Sequence, residues 1–245
     1  MRMKEDHMRN GQLKPAYNVQ ISTNNQYIAS YSIHQNPNDT NTLTSHISQH
    51  IKDYKVKPST LTTDAGYGSE QNYQWLEDKR ITAYVKHNQF DRKQNKKIQQ
   101  KRMYAADNLV YDEQKDKYLC PSGKTMKNIG SFEKTNRNNF KQSITRYQTK
   151  KCEGCPLQEQ CNPGKNNRVI EVNHNLNRLK KQAEKRLTSK RGIQKRKQRC
   201  YDTEPVFANI KHNHNFKRFM LKGIKKVRIE AGLLAIAHNL RKKIA

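Results

Sequence analysis

The chain has 245 residues, with 49 Lys and Arg against 21 Asp and Glu, and a formal net charge of +28 at pH 7. This length suits one domain of ordinary size, or one domain with an insertion. The positive charge favours a polyanionic partner, and nucleic acid is the obvious one because neutralising phosphates releases condensed counterions. The mean hydropathy of -1.17 predicts a modest core with much solvated chain.

Targeting signals are absent from the sequence as given. No apolar run approaches the roughly 20 residues that a membrane span needs, and no hydrophobic run follows the polar N-terminus as in a secretory signal. We therefore predict a cytoplasmic protein associated with the nucleoid and with no membrane partner. The five cysteines are an odd number, which in such a protein favours metal binding or free thiols over a disulfide framework.

The first part of the chain predicts strands and helices in alternation. Residues 17–22 and 27–33 alternate apolar with polar side chains around a turn, which indicates an antiparallel hairpin. Residues 36–54 then carry helix-start signals and apolar residues at helical spacing, and residues 59–63 form a short strand.

A second helix and a further strand follow. Ser69 is placed to cap the helix, and residues 81–86 read as the strand. The order of strand, strand, helix, strand, helix, strand predicts an α/β sheet of mixed direction.

The rest of the chain is more basic and less regular. Residues 87–117 change in character: residues 89–102 are dense in Gln, Lys and Arg and indicate a linker or a solvated basic helix. A cysteine-bearing segment follows from Leu119. Residues 168–172 predict a short strand, and residues 176–198 a basic helix. A further helix is expected to begin near Pro205, because proline suits the first turn, with Asp202 or Thr203 as its cap. The last helical pattern follows, and we take its apolar residues 233–240 as core packing.

These features divide the chain into three parts. Residues 1–86 and 176–245 are expected to build the α/β domain, and residues 87–175 to form an insertion.

Four cysteines have a spacing that suits a structural metal. Cys152 and Cys155 form a Cys-x-x-Cys pair, Cys161 follows, and Cys120 lies upstream in a Cys-Pro-x-Gly turn. Four thiolates that close a small loop-rich knob are typical of structural zinc. The alternative is free thiols in a degenerate insertion. Cys200 stands apart and is interpreted as incidental.

Two carboxylates are the candidate catalytic residues. Asp64 ends the strand at 59–63 and is followed at once by a glycine-bearing turn, a common way to present a metal ligand. Glu204 is followed two helical turns later by Lys211, and Arg196 and Arg199 lie just upstream. A surface ion pair is the plainer interpretation of any one such glutamate. The other acids considered read as turn, cap or surface residues: Asp6, Asp39, Asp53 and Asp78.

Together these stretches resemble the DDE transposases of bacterial insertion sequences, in the branch with a ribonuclease H-like catalytic domain. The resemblance is carried by Leu13–Gln20, Thr63–Ser69, the cysteine insertion, Glu204–Phe207 with Ile210 and Lys211, and Ala235–Leu240. It covers almost the whole chain. It implies a ribonuclease H-like mixed sheet with flanking helices, a cysteine-bearing insertion and C-terminal helices.

The resemblance also implies roles for individual residues. Asp64 would be the second acid and Glu204 the final glutamate, and the two would hold Mg²⁺ or Mn²⁺ while DNA strands are cleaved and transferred. Lys211 would be the lysine that contacts DNA. Arg199 and Arg196 would also bind DNA, although Arg196 stands where a tyrosine is often found. The partners would be transposon ends and target DNA, bound by a homodimer.

One part of the family pattern has no match. The first catalytic aspartate of the family lies on the first strand, upstream of the segment that begins at Lys14, and only 13 residues precede Lys14. Asp6 lies among polar residues from Lys4 to Met8 that lack strand character. We therefore expect the C-terminal portion of a longer transposase, without its first strand and first acid, and with little or no strand cleavage alone.

Two rival interpretations remain open at this point. One is a non-catalytic nucleic-acid-binding zinc protein that uses the cysteines and the basic helices. The other is a pseudogene product without selected activity. In every case the basic residues of 176–199 and 211–228 can hold phosphates without reading sequence.

Overall fold

The computed structural model describes residues 2–5, 8–136 and 138–244. The chain forms two compact units. The first unit comprises residues 1–88 and 182–245, and the second unit comprises residues 89–181. The candidate carboxylates, Asp64 and Glu204, both belong to the first unit.

Two antiparallel hairpins open the first unit. Strand β1 (Arg2–Glu5) pairs with β2 (Leu13–Ala16), and β3 (Asn18–Asn24) pairs with β4 (Tyr27–His34). The turn between β3 and β4 has φ of +49° at Asn25 and +65° at Gln26, as a two-residue hairpin loop requires. The prediction of a hairpin here is confirmed.

The strand β1 corrects one expectation. The residues around Lys4 were expected to lack strand character, yet Lys4 and Glu5 lie in β1. Backbone pairing with β2 forms this ribbon even though its composition is polar, because β propensity depends strongly on context. Asp6 lies outside the described residues.

A helix–strand–helix–strand segment follows. Its elements are α1 (Leu43–Tyr54), β5 (Thr60–Thr63), α2 (Glu70–Asp78) and β6 (Thr82–Val85), with short 3₁₀ turns at Asp39–Asn41 and Ala65–Tyr67. Ser69 caps α2 as predicted, since its Oγ accepts a hydrogen bond of 3.2 Å from Asn72 N. β5 and β6 are parallel.

The strands of the first unit therefore run in mixed directions, as predicted. They do not join into one ladder: β3–β4 and β5–β6 are separate two-stranded sheets among the described strands. Helix α7 (Lys190–Ala208) contacts all four of these strands and so connects the two sheets.

Three further helical elements lie before and after α7 in the chain: α6 (His174–Thr188), a π-helical turn at Asn209–Asn213 and α8 (Ile224–Ile244). The expected helix start near Pro205 is wrong, because α7 begins after Ser189, whose Oγ accepts from Gly192 N at 3.0 Å. Pro205 lies inside the helix and lacks the N–H of a regular turn. Its neighbours Val206 and Ile210 are buried, and this packing keeps the segment helical.

Helix α8 packs against β4 along one face only. Val227 and Ala231 form a core cluster with Ile33, and Tyr31 lies so close to Gly232 that a Cβ there would be 2.4 Å from the tyrosine Oη. The expectation that the apolar residues 233–240 are all core is wrong in part. Those on the other face are more than half exposed: Leu233 65%, Ile236 58% and Leu240 55%. His238 is buried and bonds the carbonyl of Gln26 at 2.9 Å.

The second unit is built on a five-stranded antiparallel sheet. The strands are β7 (Val110–Asp112), β8 (Lys117–Leu119), β9 (Thr125–Thr135), β10 (Lys141–Thr149) and β11 (Val169–Val172), in the order β11-β10-β9-β8-β7. The short helices α3 (Phe90–Gln94), α4 (Lys96–Lys101) and α5 (Gln158–Cys161) accompany the sheet. Its core contains Tyr118, Met126, Tyr147, Ile170 and Val172. Among the described residues, no helix of either unit has the length and apolar character to cross a bilayer.

A buried histidine makes the stability of the first unit dependent on pH. His46, on α1, is 6% exposed and bonds Ser22 Oγ at 2.8 Å and Ser32 Oγ at 2.7 Å. Burial lowers the pKa of His46 to about 4, and the charges of His34 and His50 act in the same direction.

We predict that stability is full above pH 6.5 and falls as the pH drops towards 4. In the unfolded chain His46 takes up a proton near pH 6.5, whereas in the folded chain it does so only near pH 4. The loss of folding free energy therefore amounts to about 3 kcal/mol. Urea unfolding at pH 7.5 and 4.5 measures this loss. His46→Gln should reduce the loss, whereas His212→Gln, at an exposed position, should leave it unchanged. Equal pH dependence in all three chains would contradict the prediction.

Candidate cation and nucleic-acid site

Asp64 is presented at the end of β5. It directly follows Thr63 and caps the 3₁₀ turn Ala65–Tyr67, with its Oδ1 accepting from Gly66 N at 2.9 Å. The side chain is 48% exposed. One carboxylate oxygen is thus held by the turn, and the other faces the rest of the site.

Glu204 approaches Asp64 from helix α7. The Arg199 guanidinium lies between the two acids: Nη2 is 3.3 Å from Asp64 Oδ2, and Nη1 is 3.9 Å from Glu204 Oε1. Because both acids are substantially exposed, each ion pair contributes no more than about 1 kcal/mol to folding. The arrangement brings together two carboxylates from distant parts of the chain.

A third carboxylate, Asp39, lies beside this pair. An ideal Cβ on Gly66 would be 3.2 Å from Asp64 Oδ1 and 3.4 Å from Asp39 Oδ2, so the two oxygens flank one point in the turn. The other oxygen of Asp39 accepts from Asn18 Nδ2 at 2.8 Å and from Gln20 Nε2 at 3.2 Å. Asp39 was expected to be a turn, cap or surface residue, and its position beside Asp64 was not predicted. The available signal was the polar side chains at alternate positions of β3, Asn18 and Gln20, which share one face of the strand.

A tyrosine in the turn after Asp64 is linked to Asp39 through Gln20. The Tyr67 hydroxyl donates to Gln20 Oε1, and Gln20 in turn donates to Asp39. Burial raises the pKa of Tyr67 well above its usual value; the charges of Asp39 and Asp64 raise it further, and Arg199 opposes them. Tyr67 therefore remains a neutral donor at any physiological pH.

One buried amide holds the two acid-bearing turns together. Asn72, on α2, is 1% exposed, and its Nδ2 donates to the carbonyls of Thr40 and Tyr67, both at 2.8 Å. Thr40 Oγ1 also donates to Gly66 O at 2.8 Å. These bonds fix the turn that carries Asp39 against the turn that carries Asp64.

The other predicted DNA-binding residues lie near the acids in sequence but differ in surroundings. Arg196 is half-buried on α7, one turn before Arg199. Lys211 is exposed in the π-helical turn, with its Nζ 5.3 Å from the centre of the Phe207 ring. Their roles in binding DNA stay predictions.

The four clustered cysteines line one small cavity in the second unit. Cys161 Sγ accepts from Arg168 Nη1 at 2.8 Å, and Cys152 Sγ accepts from Arg168 N at 3.3 Å. Hydrogen bonding from the Leu157 backbone and from Ser122 lowers the pKa of the Cys155 thiol. All five cysteines are free thiols, and Cys200 is exposed.

The donor chemistry of the two candidate sites differs. Carboxylate oxygens at Asp64, Glu204 and Asp39 suit a hard divalent cation, whereas four thiols suit zinc. Within the described ranges, no group of three or more His, Cys, Asp or Glu side chains is arranged to hold a metal ion. In this conformation Arg199 is the counterion of Asp64 and Glu204, and Arg168 contacts two of the cysteines.

Comparison with known proteins defines the family. A family model described as a transposase DDE domain matches residues 119–244, which is half of the chain. The chain therefore belongs to the DDE transposase family, as its sequence motifs predicted. The matched residues include Glu204 and the four clustered cysteines but not Asp64. No curated protein and no solved structure matches the chain.

Membership of this family carries two general properties. DNA is the partner that the family implies, and DDE transposase domains generally use divalent metals. The family thus supports a function related to transposition.

Gly68 is required for the close packing of the turn after Asp64. A Cβ at this position would lie 2.4 Å from Lys86 O and 2.9 Å from His87 Cα, both backbone atoms at the end of β6. We predict that Gly68→Ala destabilises the protein by about 1–3 kcal/mol, because the turn must move away from β6. Thermal unfolding followed by circular dichroism measures this loss.

Gly164→Ala is the matched control for this substitution. Its nearest neighbouring atom is 4.0 Å away, so the change should stay within about 0.5 kcal/mol. Equal stability of Gly68→Ala and the unmodified chain would show that the turn is not packed as described.

Proposed function

We propose that this chain is a transposase catalytic domain in which Asp64 and Glu204 bind Mg²⁺ or Mn²⁺ and act on the phosphodiesters of transposon ends and target DNA. The observation that carries the proposal is that Asp64 and Glu204 lie against the same guanidinium, that of Arg199. Two-metal phosphoryl transfer needs acids that converge from separate elements in this way.

Each residue of the site has a part in the proposed chemistry. A bound divalent cation would neutralise charge on the phosphate and activate the attacking oxygen. Asp64 keeps one oxygen fixed by Gly66 N and offers the other, while Glu204 faces it from α7. Arg199 balances the charge of both acids before DNA binds and is then free to pair with a phosphate, for which its planar fork is suited.

Asp39 supplies additional negative charge beside this pair. Its Oδ1 is held by Asn18 and Gln20, and its Oδ2 flanks the turn that presents Asp64. We assign it a positioning role, because it strengthens the attraction of the site for a cation through charge and through the Gln20–Tyr67 connection.

Binding of Mn²⁺ alone, followed by calorimetry, tests the carboxylate site. We expect Asp64→Ala and Glu204→Ala each to weaken Mn²⁺ binding by roughly ten-fold or more, since each removes a ligand. Any nicking of supercoiled DNA by the chain should fall with the same substitutions. DNA affinity should be kept or increased, because a negative charge is removed.

The matched controls separate a local effect from a general one. Asp53→Asn removes an exposed carboxylate from α1 and should leave Mn²⁺ binding unchanged. Asp39→Asn keeps an oxygen that accepts the hydrogen bond from Asn18 and removes only the charge. It should therefore weaken Mn²⁺ binding less than Asp64→Ala does. If neither Asp64→Ala nor Glu204→Ala alters Mn²⁺ binding, the proposal is wrong.

A second candidate function is a non-catalytic nucleic-acid-binding zinc protein. The observation that favours it is the convergence of Cys120, Cys152, Cys155 and Cys161 on one cavity. Movement of the Arg168 side chain out of this cavity would let four thiolates close around one ion.

Elemental analysis of the purified chain tests the zinc site. We expect one zinc per chain, lost in Cys152→Ser and retained in Cys200→Ser, because Cys200 lies outside the cavity. The zinc-protein function further requires DNA binding to be lost with the metal. DNA binding that survives Cys152→Ser, combined with loss of Mn²⁺ binding in Asp64→Ala, favours the transposase.

A further inference from the structure

Helix α7 carries a line of exposed side chains that ends at the carboxylate site. Lys190, Gln194, Lys197, Tyr201 and Glu204 follow one another at intervals of four, three, four and three residues, and all are exposed. This spacing places them on one face of the helix. We call this face the α7 track.

The opposite face of α7 anchors the helix in the core. Gly192 and Val206 are buried there, and a Cβ on Gly192 would lie 2.0 Å from Arg186 O. The track is therefore the outward face of a helix whose orientation is fixed by packing.

All charged residues of α7 before Asp202 are basic, and two of them, Lys190 and Lys197, lie on the track. Residues 190–201 contain six Lys and Arg and no Asp or Glu. The first acids along α7 are Asp202 and Glu204. A basic segment of this kind attracts the phosphates of a DNA strand. A strand bound along it would reach Glu204 and Asp64.

An exposed aromatic ring lies at the end of the track that is nearest the acids. Tyr201 is 71% exposed, one helical turn before Glu204, and a shallow groove beside it is lined by Lys190, Ile193, Gln194, Lys197, Gln198 and Tyr201. Proteins bind single strands with exposed aromatic rings next to cationic side chains, because a base stacks on the ring while the phosphates pair with the cations. A base inside a duplex is stacked on its neighbours and so has no free face for such a contact.

The length of the track matches a segment of one strand. From Lys190 to Glu204 the helix rises about 21 Å, the rise of roughly six nucleotides in one strand of B-form DNA. The last turn, from Tyr201 to Glu204, places the ring about 4.5 Å along the axis from the acid. A base on Tyr201 would thus be close to the phosphate that the acids receive.

We propose that the α7 track binds a single DNA strand, with its phosphates on Lys190 and Lys197 and an unpaired base stacked on Tyr201. This inference rests on the proposed function, and it specifies the form of DNA that the carboxylate site receives: a strand whose end is unpaired.

The test uses the full chain and a short single-stranded oligonucleotide that contains 2-aminopurine, whose fluorescence is quenched by stacking. Binding should quench the fluorescence. Tyr201→Ala should abolish the quenching and weaken binding roughly ten-fold, within the range measured for loss of one stacked base. Tyr201→Phe keeps the ring and should retain both. Tyr54→Ala, an exposed tyrosine on α1, is the control and should change neither.

Salt dependence tests the cations of the track. Lys190→Gln and Lys197→Gln should each reduce the slope of log affinity against log salt by about 0.7, the value for one phosphate contact on a single strand. Lys52→Gln, at an exposed position on α1, should leave the slope unchanged.

Two results would overturn the inference. One is unchanged quenching in Tyr201→Ala. The other is an equal loss of affinity for a matched duplex and for the single strand, which would mean that the track contacts duplex DNA without stacking. Asp64→Ala should leave the quenching intact, so a failure of the carboxylate site in Mn²⁺ binding is distinguishable from a failure of the track.

Discussion

The Arg199 guanidinium between Asp64 and Glu204 is the contact on which the candidate site depends. Without a cation, two nearby carboxylates repel each other, and the guanidinium offsets that repulsion. The same contact connects the turn after β5 to helix α7, so it links the geometry of the site to the packing of the first unit. The Arg199 side chain is only a quarter exposed, but water reaches both acids. The energetic cost of holding the guanidinium between them is therefore modest.

Helix α7 explains how such a site is held in place. It contacts β3, β4, β5 and β6, which form two sheets that share no ladder among the described strands. Val206 follows Pro205 directly and is buried, so α7 is packed against the core at the point where the proline removes a backbone donor. Glu204 immediately precedes this anchor, and its backbone therefore has little freedom to move.

The sequence was sufficient to predict the features that local chemistry determines. The turn at Asn25 and Gln26, the Ser69 cap and the position of Asp64 at the end of β5 all follow from short-range preferences. It was insufficient where distant packing decides, as in the continuation of α7 through Pro205 and the strand β1. The proximity of Asp39 to Asp64 is of the second kind, because hydrogen bonds from Asn18, Gln20 and Asn72 create it across separate elements.

The separation of β3–β4 from β5–β6 has a practical consequence. Among the described strands, β3 and β5 each have a ladder partner on one side only, so on the other side no strand bonds their N–H and C=O groups. A strand edge without a ladder partner can pair with a second chain as concentration rises. The high net charge of the chain opposes that encounter at low ionic strength, so added salt should bring self-association closer by screening the repulsion.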